Sequence, residues 1–499
     1  MSELASTRSI DELPGPTGLP LVGNAHKISA DRLHLTLEQW ADRYGPAYRF
    51  KLGRRQILVT ADTGAINMLL RDRPEGFRRW SEIEGVFGAM HINGVFSAEG
   101  GDWKRQRRLA VSALNTNHLN RYFDVIHTTT ERLRKKWSLA ADSGEVVDIQ
   151  RDFMSLTVDI TSALAFGHDL NTIERADNEL QAHIETIFPM IARRISSPFA
   201  YWRWLKLSGD RACDRSLTAV RDAVDEFVRQ ARERLDRHPE LRERPTNFLE
   251  SMLVAHDQDD GAYSEDEVFG NTFTMLLAGE DTTANTLAWT TWYLARRPDV
   301  LARVRAEADR RLGEQLLPGD FETAGGATYV DAVVKESMRL KPVAPIFFME
   351  SLTDGVVAGT TVSPGTRIIL LTRYAATRAH NFERPGEFDP GRWIDAAASD
   401  DEHPGGAHNP SAYVPFGAGP RFCPGRNLAL IEAKSVLMML ARNFEVQPAG
   451  SEAIEERFAF TMSPSELIVR LAHRDVAGTT STDAAAPSRG AAGAYAASS

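Results

Sequence analysis

The stretch FGAGPRFCPG, Phe416 to Gly425, sets one of only two cysteines in a glycine-rich loop rather than in an apolar run. Gly417 and Gly419 let the backbone turn tightly and come close to a flat ligand where a Cβ would collide. The segment that follows, RNLALIEAKSVLMMLARNF, repeats apolar side chains at helical spacing through Leu428, Ile431, Val436, Met439 and Leu440. Cys423 therefore stands just before a helix N-terminus, where backbone N–H groups and the helix dipole favour a thiolate, the form that ligates a metal. A lone cysteine is more often a small buried hydrophobe. The glycines, Arg421 and the helix start weigh against that reading here.

A second constellation lies in SEDEVFGNTFTMLLAGEDTTANTLAWTTWYLARRPDV. Ser264 with Glu267 three residues on forms a capping box, and Pro298 after two arginines is a stop signal. The helix between them spans about 32 residues, roughly 48 Å. Its apolar run is broken by Gly279, Glu280, Asp281, Thr282 and Thr283. Burying such groups is costly unless they are bonded, and a mid-helix glycine costs about 1 kcal/mol against alanine. A carboxylate beside a hydroxyl can relay protons, whereas an isolated D-T-T is more commonly a threonine bonded to its own helix carbonyl beside a surface aspartate. Two further pairs share helix faces, Trp103 with Arg107 and Glu336 with Arg339. Neither pair means much by itself.

Together these motifs resemble the cytochrome P450 superfamily, with Phe416, the two glycines, Arg421, Cys423 and Gly425 at the haem loop's positions. The resemblance implies a mainly α fold with a small β-sheet region (α+β), holding haem b (iron protoporphyrin IX) between the long central helix and the cysteine loop. Cys423 would be the proximal thiolate and Phe416 would shield its sulfur. Trp103, Arg107 and Arg421 would hold the haem propionates. In A-G-x-D-T-T, Gly279 would open room over the haem while Asp281 and Thr282 supply protons through water. Arg392, in FDPGRW, would join Glu336 and Arg339 in a structural cluster, since a fork-shaped guanidinium pair can lock the backbone that presents the loop. The resemblance also implies a substrate pocket, to which Phe87, Phe188, Ala278, Val343, Ile346 and Phe460 are assigned. One position departs from the family's pattern: Met349 stands where an Arg or His is usual, which removes one expected propionate contact.

These motifs need elements to carry them. The segment 1–24, with Pro14, Pro16 and Pro20, reads as a stiff proline-rich lead-in to a catalytic domain over 25–475. A helix is expected over Leu33 to Tyr44, then strands at AYRFKL and QILVTA around a Gly53–Arg55 turn. Pro74 to Gly100, with Phe77, Trp80, Phe87, Met90 and Phe96 at no clean period, reads as a long ordered loop. Successive helices follow to His256. Among them Phe188, Phe199, Tyr201, Trp202 and Trp204, broken by Pro189 and Pro198, match the family's mobile pocket roof. FAFTMSPSELIVRL resembles the closing strand pair, with Phe460 and Thr461 at its turn. The low-complexity tail 476–499 is expected to be disordered.

Composition narrows the function classes. The chain of 499 residues is 42% hydrophobic and 25% charged, an ordinary globular mix. Its 58 basic and 68 acidic residues leave a net charge of −10, which argues against a nucleic-acid binder. Cys213 and Cys423 cannot build a disulfide framework, and a reducing compartment is expected. The N-terminus carries neither a signal peptide nor the roughly 20 apolar residues of a membrane anchor, so the chain resembles the soluble bacterial members and a cytoplasmic location is expected. The expected activity is that of a haem-thiolate monooxygenase, placing one oxygen atom from O2 into an apolar small molecule by hydroxylation or epoxidation. Its electrons would come from a ferredoxin or flavodoxin type donor with its reductase, which an acidic partner could approach through Lys104, Arg105 and Arg108. The alternatives are a peroxide-driven peroxygenase of the same fold, against which the acid–alcohol pair argues, and a non-catalytic haem sensor or carrier.

Overall fold

The computed structural model describes residues 7–175, 179–197, 200–258, 263–394, 408–451 and 453–475. Pro198 and Phe199 of the expected roof, and the tail 476–499, lie outside the described residues. The architecture is mainly helical with small sheets.

Its axis is the central helix Glu265–Leu294, uninterrupted across the polar turn. The capping box forms as the sequence implies: the Ser264 hydroxyl accepts from the Glu267 N–H, and the Glu267 carboxylate accepts from the Ser264 N–H at 2.8 Å. The far end agrees with the stop signal, since the helix ends before Pro298. The helix stops at Leu294, and Pro298 opens the next helix, Pro298–Leu312, at a position where its missing N–H costs nothing. Four hydroxyls along the helix are satisfied locally, while those of Thr272 and Thr291 are buried without a partner among the described residues. Thr274, Thr282, Thr286 and Thr290 each donate to the carbonyl four residues back, at 2.6 to 2.9 Å.

The central helix packs along Ile149–Phe166 and is flanked by Phe248–Gln258, Ser208–Arg237, Thr328–Leu340 and the proximal helix Arg426–Asn443. Gly279 makes the first of these contacts possible. A Cβ there would lie 2.8 Å from Thr161 Cγ2, too close for any real side chain. The position a Cβ would take on Gly279 faces Thr161 of the neighbouring helix, while Ala278 is exposed and Gly279 partly so at the polar turn.

The helix Leu33–Tyr44 and the antiparallel strands Ala47–Leu52 and Arg55–Thr60 form where expected. They edge a five-stranded sheet that continues through Arg367–Leu370, Phe347–Ser351 and Phe77–Arg79, with only the Arg55–Thr60/Arg367–Leu370 pair parallel. The lead-in packs against this sheet: Pro14 accepts from the Arg49 N–H at 2.9 Å, and Leu13 is buried beside Phe77 and Met349.

Pro74 to Gly100 is not a loop. It holds the strand Phe77–Arg79 and the helix Ser81–Ala89. The helical period is carried by Ile83, Val86, Phe87 and Met90, all buried. Leaving out Ile83 and Val86 conceals it. Among the described residues no helix is long and apolar enough to cross a membrane.

Candidate active site

Cys423 sits in the turn that ends where the proximal helix begins, with Gly425 as the residue before its first turn. The Cys423 N–H donates to the Phe416 carbonyl at 2.9 Å, closing the loop on itself. Gly419, at φ 68°, lies against the backbone of Leu70 and Arg71, where a Cβ would stand 2.6 Å from Arg71 Cα. Gly417, at φ 72°, faces open space. The sulfur receives the N–H groups of Gly425 and Arg426, and Arg107 adds a positive charge. Burial outweighs all three and pushes the thiol up. The helix start alone therefore does not make the thiolate. Cys213, fully buried in Ser208–Arg237, is pushed up to about 11 by burial, and both cysteines are free.

Four guanidinium groups gather beside the loop around one carboxylate, Glu99. Arg107 donates to the Phe422 carbonyl, tying the helix Gly100–Ala113 to the cysteine loop. Arg421 donates to the Ala98 carbonyl at 2.7 Å and to Glu99, and its guanidinium lies 4.6 Å over the Trp103 ring. Trp103 and Arg107 thus share a helix, and both meet the loop. Arg73 and Arg79, which the sequence motifs did not single out, complete the group. Arg79 donates to the Phe96 carbonyl at 2.7 Å. Burial first, and the neighbouring arginines second, push Arg73, Arg79 and Arg421 each down to about 9, with Glu99 opposing.

The unpaired atoms show what this cluster wants. Arg73 Nε and Nη2 and Arg421 Nε and Nη1 are buried with no hydrogen-bond partner. Uncompensated buried cations cost several kcal/mol each unless paired. A dianionic edge fits here, and the two carboxylates of a haem supply one. The position of Met349 is equally specific. It is 1% exposed in an apolar cluster, and its Cα partner on the adjacent strand is Arg79. The rung that lacks a cation on one strand carries one on the next. Sheet register, invisible in the motifs, was the missing signal.

At the polar turn of the central helix, Ala278 is exposed, and Asp281 and Thr282 are partly so. Thr282 donates to the Ala278 carbonyl at 2.7 Å, so the threonine does bond back to its own helix. Asp281 is no surface aspartate: it is held by Asn285 at 2.7 Å and by the hydroxyl of Thr461. Burial raises its pKa, with those two donors opposing. Beside it Glu280 is 3% exposed and pushed well above the carboxylate range by burial, then by Asp281 and Glu185. Glu432 of the proximal helix, 1% exposed, is pushed up to about 8 by burial against a hydrogen bond from Thr283.

Of the residues assigned to the pocket, Phe87, Phe188 and Phe460 meet. Phe460 lies 6.4 Å from each of the other two rings, and Phe96 joins them, 5.4 Å from Phe87 and 5.5 Å from Phe460. Val343 is bonded to the same hairpin, its carbonyl accepting from the Met462 N–H at 2.8 Å. Ile346 is buried and part of the main core. Of the expected roof, Trp202 is buried and Trp204 is 85% exposed.

Glu336 is completely buried and accepts from Arg339 twice, at 2.9 and 2.8 Å, and from Arg392 at 3.0 Å. Trp393 Nε1 at 2.8 Å and the Asp389 N–H at 3.0 Å add two donors that the E-x-x-R spacing does not reveal. Arg339 in turn donates to the carbonyls of Ala376, Pro385 and Glu387. The Trp393 ring lies 4.5 Å from Tyr413, three residues before Phe416, which connects the cluster to the cysteine loop.

The sequence profile of the Cytochrome P450 family matches residues 13–471. The chloroplastic protein Lutein deficient 5 of Arabidopsis thaliana is 25% identical over 455 residues, 89% of this chain and 74% of that protein. A self-sufficient cytochrome P450 monooxygenase of Aspergillus niger is 26% identical over 94% of this chain, which spans 42% of that longer protein. Both relatives are eukaryotic, so the bacterial type expected from the N-terminus is not carried by them. Among solved structures, the haem domain of cytochrome P450DA superposes with a TM-score of 0.80 at 24% identity, covering 93% of this chain and 98% of that one.

Proposed function

The chain belongs to the cytochrome P450 family and is a haem-thiolate monooxygenase, and from that premise we propose that it places one oxygen atom from O2 into an apolar small molecule. When bound, the haem supplies the oxygen-activating chemistry. The protein residues bind its edge, present the sulfur, exclude water and move protons.

In this reading Cys423 ligates the iron, and the N–H groups of Gly425 and Arg426 with Arg107 stabilise the sulfur's charge. Arg73, Arg79 and Arg421, with Trp103 beneath Arg421, hold the propionates. Arg79 takes the contact that Met349 gives up, because both stand on one rung of the sheet. Asp281 and Thr282 move protons to the reaction site through water, and Phe87, Phe96, Phe188 and Phe460 present an apolar, aromatic wall to the substrate. Electrons arrive from a separate ferredoxin or flavodoxin type donor. Its docking face would be the outer side of the helix Gly100–Ala113, where Arg108 is exposed and Lys104 pairs with the exposed Glu75. Arg105 is committed to Glu267 and contributes less.

The observation that carries the proposal is the set of buried, unpartnered arginine N–H groups beside a cysteine loop. The reduced, carbon monoxide-bound protein is expected to show the red-shifted Soret band of thiolate ligation, and Cys423→Ala to lose it. A variant that keeps the band overturns the ligand assignment.

A further inference from the structure

The work assigned to Asp281 requires a carboxylate oxygen free to exchange protons beside Thr282. Each oxygen already accepts one hydrogen bond, which leaves it a single lone pair. Oδ1 accepts from Asn285 Nδ2 at 2.7 Å, and Oδ2 accepts from the Thr461 hydroxyl. Thr282 meanwhile spends its own proton on the Ala278 carbonyl. The acid and the alcohol, adjacent in the chain, are each bonded elsewhere.

The grip of Asn285 is set from outside. Its amide oxygen accepts from Gln150 Nε2 at 2.9 Å, at the first turn of Ile149–Phe166, so the amide NH2 is the end left to face Asp281. Asn285 is completely buried and cannot swing away to water. Thr461 differs. It follows Phe460 at the tip of the hairpin Glu456–Ala459/Thr461–Pro464, and Phe460 has a φ of 76°, a conformation bulky side chains rarely hold. The Phe460 ring packs on Phe96, Phe87 and Phe188. The residue that bonds the acid is thus covalently joined to the residue that forms the aromatic wall.

We propose that Asn285 and Thr461 are positioning residues for Asp281, and that the Phe460–Thr461 tip makes the acid responsive to the contents of the aromatic pocket. With the pocket closed on itself, Phe460 holds Thr461 against Asp281. A substrate large enough to displace the Phe460 ring draws the hydroxyl off Oδ2 and frees that oxygen for water at Thr282. A small substrate that leaves Phe460 in place leaves the acid tied and diverts reductant to peroxide. The inference rests on the proton-moving role of Asp281 and Thr282 proposed above. Other charged groups near the site are Glu280 on the same helix, Glu185 facing Glu280 from Glu179–Ser196, and Glu432 bonded to Thr283. None of them supplies a competing donor to Asp281.

The test uses the haem-loaded protein and the infrared carbonyl stretch that Asp281→Asn removes, followed against pH. Thr461→Val keeps the side-chain shape and deletes the donor, so the titration midpoint of that band is expected to rise; Thr461→Ser is expected to restore it. Phenanthrene, at concentrations where the haem spin state reports binding, is expected to raise the midpoint in the wild type and to add nothing in Thr461→Val. Toluene is expected to move neither. A Thr461→Val midpoint equal to wild type, or serine and valine variants that behave alike, overturns the positioning role. A wild-type band unmoved by phenanthrene overturns the link to the pocket. The underlying reading fails separately, if Thr282→Ala and Asp281→Asn keep product formation fully coupled to reductant use.

Discussion

Replacing Glu336 by glutamine tests how the frame of the site is held. The carboxylate is completely buried and takes five hydrogen bonds, three from two guanidinium groups that are themselves 0% exposed at their side chains. Glutamine keeps the shape, removes the charge and leaves Arg339 as a buried cation without the carboxylate it pairs with, and Arg392 with Asp389 alone at 3.9 Å. Breaking a buried pair in this way costs roughly 3–5 kcal/mol, far more than the pair contributes relative to an apolar pair. At about 2.1 cal/mol/K per residue, a chain of this length has an unfolding entropy near 1 kcal/mol/K, so Tm should fall by about 3–5 °C. Calorimetry gives that shift, and the Soret band of the carbon monoxide complex reports whether the cysteine loop, joined to the cluster through Trp393 and Tyr413, moves with it. Glu226→Gln is the control: its carboxylate bonds Arg229 on an exposed helix face and no change is expected. If the two variants unfold within a degree of each other, the buried cluster is not what holds this frame.

Other substitutions test other parts of the site. Gly279→Ala is expected to destabilise by about 1–3 kcal/mol from overpacking against Thr161, and Thr161→Ala in the same chain to recover most of it in a denaturant titration; no recovery would count against that contact. Arg79→Met should speed haem transfer to apomyoglobin, with Met349→Arg in the same chain slowing it again, because the two residues share a rung; Arg108→Met should leave the rate unchanged. Glu432 has its pKa raised from 4.5 to about 8, so between those values the folded chain holds a proton that the unfolded chain has lost, and stability falls as pH rises through that window. Glu432→Gln should flatten that part of the curve, gaining on the wild type from pH 5 to pH 8 in urea midpoints.

The sequence made the chemistry legible wherever one short segment carries it. The cysteine loop, the capping box at Ser264 and the polar turn at Asp281 are local patterns, and local patterns survive without coordinates. What it concealed was set by pairing across distance. Arg79 is one arginine among many until the strand Phe77–Arg79 is laid against Phe347–Ser351. Thr461 is a turn residue until the hairpin is folded onto the central helix. The close approach of Gly279 to Thr161 was hidden for the same reason, since a helix has several faces and only the fold shows which neighbour a bare Cα meets. The helix Ser81–Ala89 was missed for a local reason: its period lies in Ile83 and Val86 as much as in the aromatics.

The same distinction explains why so polar a turn can sit mid-helix. Thr282, Thr286 and Thr290 bond to carbonyls four residues back, Asn285 bonds to Asp281 and Gln150, and Thr283 bonds to Glu432. Nearly every hydroxyl and amide in the turn is satisfied without water, so its cost is largely offset. The exception is charge. Glu280 has a buried oxygen with no partner, and Asp281 is deep enough that burial outweighs its two donors. A helix needing only stability would place apolar residues at both positions, as it does at Leu276 and Leu277. Two carboxyls pushed up by burial beside a satisfied scaffold suit proton traffic, and the hold on one of them by Thr461 is where that traffic would be governed.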